Sequence, residues 1–219
     1  TIKDTNIYYM TNKIKYGVIG TGVMGQEHIE NINIIENAEV VAICDTNENS
    51  RNQTKSLVKD STKFYNDLNE LISNNIADAY IIATPNFTHL NILERILKTN
   101  KHLLIEKPLC TTTEDCKKFE LMSKNYSKII WTGMEYRYMP PVQQLIKEVH
   151  NNVIGKIKML SIREHRFPFL HKVDDWNRFA VNTGGTLVEK CCHFFDLMRL
   201  VIQSEPTKVY ASGNQDVNH

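Results

Sequence analysis

Three glycines and one carboxylate are spaced to hold a diphosphate and the sugar beside it. Gly20-Thr21-Gly22-Val23-Met24-Gly25 joins a short β-rich run, Ile14–Ile19, to an amphipathic stretch that reaches about Glu36. Gly20 permits the tight turn, Gly22 lets the backbone approach a pyrophosphate, and Gly25 lets helix and strand pack closely. The helix N-terminus then faces the negative charge, with Val23 and Met24 in its first turn. Asp45 lies 20 residues past Gly25, at the end of the apolar run Glu39–Cys44. A carboxylate there accepts hydrogen bonds from both hydroxyls of an adenosine ribose and repels a 2′-phosphate, which favours NAD over NADP. Arg51 is open to two readings, a phosphate-neutralising cation or a solvated helix residue.

Other groups carry chemistry where they leave strands. Glu106-Lys107-Pro108 follows the run His102–Ile105, at the sheet edge where ligands of such folds bind. An ammonium at Lys107 can hydrogen-bond a reacting hydroxyl and stabilise developing alkoxide charge, or it is a plain loop lysine. Thr84, Pro85 and Asn86 leave the run Ala79–Ala83 at the same edge, placed for contact with a cofactor ribose. His89 is a further cofactor candidate or a helix-start residue. His193 stands four residues past Glu189 on an expected helix Gly185–Ile202. An imidazole titrating near neutrality suits proton transfer; flanked by Phe194 and Phe195, it is equally a core residue. Arg163, His165 and Arg166, with Trp176 and Arg178 beyond, are candidates to grip a polyol or acid, or are solvated and interface residues.

The elements that must position these groups alternate from the start. Helical spacing or capping marks Glu48–Lys59, Asp67–Ser73, Phe87–Lys98, Thr113–Ser123 and Pro140–His150, with a further strand at Ile129–Thr132. This βαβα order predicts a doubly wound parallel sheet with right-handed crossovers. After Gly155 the pattern changes. Strands are expected at Lys156–Arg166 and Thr207–Ser212, the beginning of an α+β domain. The division is then an extension or tag remnant over 1–12, a dinucleotide-binding domain over 13–138 and an incomplete second domain over 139–219.

Composition narrows the function classes. The chain has 219 residues, 42% hydrophobic and 23% charged, with a formal net charge of +1. No global field draws it to nucleic acid or an anionic membrane, and no apolar run is long enough to span a bilayer. Cys44, Cys110, Cys116, Cys191 and Cys192 lack paired-ligand spacing, so no metal site is expected and a reducing cytoplasm is.

Taken together and in order, the segments KIKYGVIGTGVMGQEH, ATPNFTH, LIEKPL, YRYMP, the Trp176–Arg178 loop and GGTLVEKCCHFFD resemble the Gfo/Idh/MocA oxidoreductases. The resemblance implies an NAD(P)-dependent enzyme moving a hydride between the cofactor and a carbinol or ketone carbon of a sugar, polyol or related hydroxy compound. It assigns alkoxide stabilisation to Lys107, shaping of its turn to Glu106 and proton transfer to His193. Tyr136 and Arg137 fall where the family lines its cofactor–substrate cleft. Glu189 departs from the family's usual Asp and carries its carboxylate on a longer arm. The resemblance further implies a largely antiparallel open sheet in the second domain, through which copies pair into homodimers or homotetramers. Two alternatives stand beside this reading: a glycosidase or eliminating enzyme that recycles NAD, and a non-catalytic NAD(P)-binding regulator.

Overall fold

The computed structural model describes residues 13–165 and 170–213. The extension expected over 1–12 and the candidate Arg166 lie outside the described residues. Contacts divide the chain into two units, one of residues 13–134 with 170–192, the other of 135–165 with 193–213.

The first unit is built on six parallel strands: β1 (Ile14–Ile19), β2 (Ala38–Cys44), β3 (Lys63–Tyr65), β4 (Ala79–Ile82), β5 (His102–Ile105) and β6 (Ile130–Thr132). They lie in the order β3-β2-β1-β4-β5-β6. The order reverses between β1 and β4, the switch point at which open α/β sheets bind ligands. Register sets the carboxyl ends level, with Ile19 beside Cys44 and Ile82, Ile82 beside Ile105, and Ile105 beside Thr132. Gly20, Asp45, Ala83, Glu106 and Gly133 therefore leave the sheet along one edge.

In chain order the α-helices are α1 (Val23–Asn33), α2 (Glu48–Thr54), α3 (Leu68–Asn74), α4 (His89–Ile96), α5 (Thr113–Ser123), α6 (Pro140–His150), α7 (Ala180–Thr183), α8 (Thr186–Glu189) and α9 (Cys192–Ile202). Their starts are written locally. Asn47 accepts from Ser50 N, Asp67 from Asn69 N and Glu70 N, and Thr112 from Asp115 N. Asn75 ends α3 in the left-handed region at φ 48°. Pro140 and Pro141 open α6, where a missing amide hydrogen costs nothing.

Successive strand residues face opposite sides of the sheet, and both sides are buried. Val18, Ile43 and Ile81 pack with Ile29 and Ile32 of α1. Ile19, Ala42, Cys44, Tyr80, Ile82, Leu103 and Ile105 pack with Leu71, Leu93, Ile96 and Phe119 on the other side. At about 25 cal/mol per Å² of apolar surface removed from water, these two layers fix the sheet and with it the ligand edge.

Three expectations are corrected, and one strand was not foreseen. β3 has only three residues and lies at the sheet edge, too short for an alternating pattern to show. The helix expected over Glu48–Lys59 stops at Thr54 and tightens into a 3-10 turn, Lys55–Leu57. Gly185–Ile202 is two helices, because Cys191 N reaches back to Thr186 O at 3.1 Å in a wide turn that closes α8. Neither Lys156–Arg166, as far as it is described, nor Thr207–Ser212 forms a strand. A strand exists through ladder partners, and these segments have none among the described residues.

Candidate functional site

The glycine turn has the shape of a phosphate cradle. Gly20 sits at φ +86°, and a Cβ there would lie 2.7 Å from the backbone of Ala83 and Thr84. A Cβ on Gly25 would lie 2.0 Å from the carbonyl of Gly20, so both positions require glycine for packing. Gly22 differs, since a Cβ would meet no atom within 4 Å. It caps α1 with no side-chain hydrogen bond, and the first turn holds no acid. An uncapped helix start facing open space suits the diphosphate of a dinucleotide. Val23 is 50% exposed there.

Asp45 is tied to this turn. Its Oδ2 accepts from Thr21 N at 2.7 Å and Thr21 Oγ1 at 3.0 Å, and its Oδ1 from Asn47 N at 2.8 Å. Thr21 is fully buried. The carboxylate has capacity for about four acceptor contacts, so these three leave room for a ribose hydroxyl. Arg51 is half-buried, and its guanidinium donates to the carbonyl of Asp45.

At the exit of β4, the Thr88 hydroxyl donates to the carbonyl of Pro85 and lies 2.7 Å from Thr84 Oγ1. Asn86 is buried, and its Nδ2 has no acceptor among the described residues. A buried amide without an acceptor beside the cradle fits a ligand oxygen, so the residues present suit a dinucleotide. His89, a cofactor candidate or helix-start residue from sequence, is the first residue of α4. It is fully buried, with Nδ1 3.0 Å from Pro108 O and Nε2 3.0 Å from Thr84 O. It therefore braces the loop after β4 against the loop after β5.

The turn after β5 gathers charge. Glu106 spends its carboxylate within the protein: Oε1 lies 2.6 Å from His28 Nε2, and Oε2 accepts from Lys107 N at 3.2 Å. Burial pushes this carboxyl up, but the hydrogen bond and charge of His28, with the Lys107 amide and ammonium, outweigh it and leave its pKa lowered. Lys107 Nζ donates to the carbonyl of Glu189 at 3.1 Å, and Glu189 itself is buried. Lys172 joins this cluster. Its own burial lowers its pKa, opposed by the charge of Glu189 and reinforced by that of Lys107.

The segment 170–192 packs on the first unit. Trp176 meets Phe87 edge-on at 6.4 Å, and Asn182 Nδ2 donates to the Trp176 carbonyl. Gly184, at φ +77°, passes so close to the Thr111 carbonyl that a Cβ would lie 2.6 Å from it. Arg178 is exposed.

The second unit holds its own cluster. His193 is 1% exposed, with Nε2 3.3 Å from Glu135 Oε1 and its ring stacked on Tyr136 at 4.2 Å and 8°. The Tyr136 hydroxyl donates to Glu164 at 3.4 Å. Arg137 binds the carboxylate of Asp196 on α9 through both Nε and Nη2. Arg163 and His165 are exposed on irregular chain.

The structure thus brings together Gly20, Gly22, Gly25, Asp45 and Asn86, and separately Glu106, Lys107 and Glu189; Tyr136 and His193 meet in the second unit. The break after Glu189 removes the expected single helical face shared with His193. Thr21, His28, Glu135 and Lys172 were not singled out from sequence. Only His28 had a legible signal, lying one helical turn past Gly25 on α1. Among the described residues no group of three or more His, Cys, Asp or Glu is placed to hold a metal, and no helix is long and apolar enough to cross a membrane.

A doubly wound parallel sheet with a glycine cradle at its switch point defines a Rossmann-type dinucleotide-binding domain. Residues 14–134 match the model of the Gfo/Idh/MocA oxidoreductase family, NAD-binding Rossmann fold, and residues 146–219 match that family's C-terminal alpha/beta domain. The chain belongs to this family. It is similar to myo-inositol 2-dehydrogenase of Thermotoga maritima, 30% identical over 201 residues that make up 92% of this chain and 58% of the relative. It is also similar to 2,7-anhydro-N-acetylneuraminate hydratase of Escherichia coli, 26% identical over 200 residues, 91% of this chain and 52% of the relative. The crystal structure of a probable dehydrogenase from Thermotoga maritima superposes with a TM-score of 0.74 at 30% identity, over 88% of this chain and 56% of that one. The chain spans less than three fifths of the length of these relatives.

Proposed function

We propose that the chain is an NAD-dependent dehydrogenase acting on a secondary carbinol of a polyol or sugar, with a cyclitol such as inositol the first substrate class to test. The observation that carries this reading is the Lys107 ammonium, fixed 3.1 Å from the Glu189 carbonyl on the sheet edge that also bears the glycine cradle. The dehydrogenase name of the relative from Thermotoga maritima supports it.

In this reading the amides around Gly20, Gly22, Val23, Met24 and Gly25 hold the pyrophosphate, Asp45 takes a ribose hydroxyl, and Thr84, Pro85 and Asn86 line the cofactor path. Bound NAD supplies the hydride acceptor. Lys107 holds the substrate oxygen and stabilises its developing negative charge, while His193 takes the hydroxyl proton. Glu189 anchors Lys107 through its carbonyl. Trp176, Arg178, Tyr136, Arg163 and His165 stay as substrate candidates. NADP serves only if Arg51 outweighs the repulsion of Asp45. The reading also expects the second domain, to which residues 139–219 belong, to carry a largely antiparallel open sheet through which copies pair as a cytoplasmic homodimer or homotetramer.

The test is NADH formation across a panel of inositols, sugars and sugar acids, using wild type, Lys107→Ala and His193→Ala. Each substitution is expected to cost about 10²–10⁴-fold in turnover. Near-wild-type turnover in both variants contradicts the assignment. The hydratase name of the Escherichia coli relative favours one second reading, elimination or hydration with NAD returned each cycle. That reading predicts product without net NADH.

A further inference from the structure

His193 is 1% exposed, and one face of its ring is covered by Tyr136 at 4.2 Å. A buried imidazole that exchanges a proton needs a group to fix its tautomer, because its two nitrogens are otherwise interchangeable as donor and acceptor. The carboxylate of Glu135 stands 3.3 Å from Nε2, and its side chain is 52% exposed. Within this unit the charged and titratable groups around the ring include Glu135, Tyr136 and Asp196, three residues along α9. Asp196 is engaged by Arg137 through two hydrogen bonds. Glu135 is the acid that the structure pairs with the imidazole.

We propose that Glu135 is the positioning residue of His193, its carboxylate, 3.3 Å from Nε2, orienting the ring and stabilising the imidazolium. The logic is that of any carboxylate–histidine pair in which the acid orients the base and does not touch the substrate. No atom is consumed: the proton taken by His193 is returned to solvent when the cycle closes. The catalytic part of this inference rests on the proposed dehydrogenase reading; the pairing itself does not.

The experiment separates the two. His193 is followed by NMR titration in wild type, Glu135→Gln and Glu135→Asp, alongside the pH dependence of kcat and KM on the best polyol. Glutamine keeps the shape and removes the charge, and aspartate keeps the charge. The expected result is that Glu135→Gln moves the titration midpoint of His193 down by about one pH unit, and the acid limb of kcat with it, while KM holds. Glu135→Asp restores part of the shift. An unchanged His193 midpoint in Glu135→Gln overturns the proposal, whether or not any polyol is turned over. A shifted midpoint in a protein that oxidises no polyol upholds the pairing and counts against the dehydrogenase reading alone. Equal melting temperatures in wild type and Glu135→Gln establish that the comparison is made between folded proteins.

Discussion

His28, on the helix that carries the cradle, places its Nε2 2.6 Å from the carboxylate of Glu106, the residue before Lys107. One short contact thus joins α1, which follows the glycine turn, to the turn that carries Lys107. The side chains are 20% and 10% exposed, dry enough for the pair to matter.

His28→Ala leaves Glu106 buried with half of its partners and is expected to destabilise the fold by about 1–3 kcal/mol. Because the pKa of Glu106 is depressed in the folded state, its contribution is present above its ordinary value of 4.5 and is lost as pH falls through the folded value. Chemical denaturation of wild type and Glu106→Gln between pH 6 and about 3 checks this. The stability difference between them should shrink on acidification; a constant difference contradicts the pairing.

His89 works in the opposite pH range. Burial lowers its pKa below the ordinary 6.5, against the pull of the Thr84, Pro108 and Leu109 carbonyls and the charge of Glu106. The unfolded chain therefore binds this proton first, and stability falls as pH drops below 6.5. His89→Gln is expected to flatten that slope while lowering stability at neutral pH. An unchanged slope between pH 7 and about 5 removes His89 as its source.

Much of this was legible in the residues. The spacing from Gly20 to Asp45 gave the switch-point geometry, and near-continuous apolar runs such as Ala38–Cys44 gave strands covered on both faces. What failed did so for physical reasons. That Arg137 is bound to Asp196 and His89 lies against three carbonyls is set by residues distant in sequence, which spacing does not reveal. Lys156–His165 has strand composition, but a strand needs a partner to bond with, and partners are not written locally.

Arg137 and Asp196 offer a clean contrast between bracing and binding. Asp196→Ala is expected to lower stability by about 1 kcal/mol, a modest figure because the Arg137 side chain is 40% exposed, and to leave KM within error. A raised KM at unchanged melting temperature returns Arg137 to the substrate residues.

Thr21→Val keeps the backbone donor to Asp45 and removes the hydroxyl, leaving Oδ2 with one bond in place of two. A hydrogen bond to a charged group contributes about 1.5–3 kcal/mol, so NAD affinity is expected to fall roughly tenfold or more. Asp45→Ala removes the carboxylate altogether and should weaken NAD further, with less effect on NADP. A tighter NAD complex in Thr21→Val contradicts the tether.

The most direct measurement is calorimetric titration of NAD into wild type and Gly22→Val. Gly22 has φ −65°, which any residue adopts, and open space where a side chain would go. Gly22→Val should therefore melt with wild type while losing at least about tenfold in NAD affinity, some 1.4 kcal/mol, because the new side chain stands where the diphosphate rests. Equal NAD affinity in the two proteins, or no uptake by wild type, contradicts the cradle and the enzymology built on it.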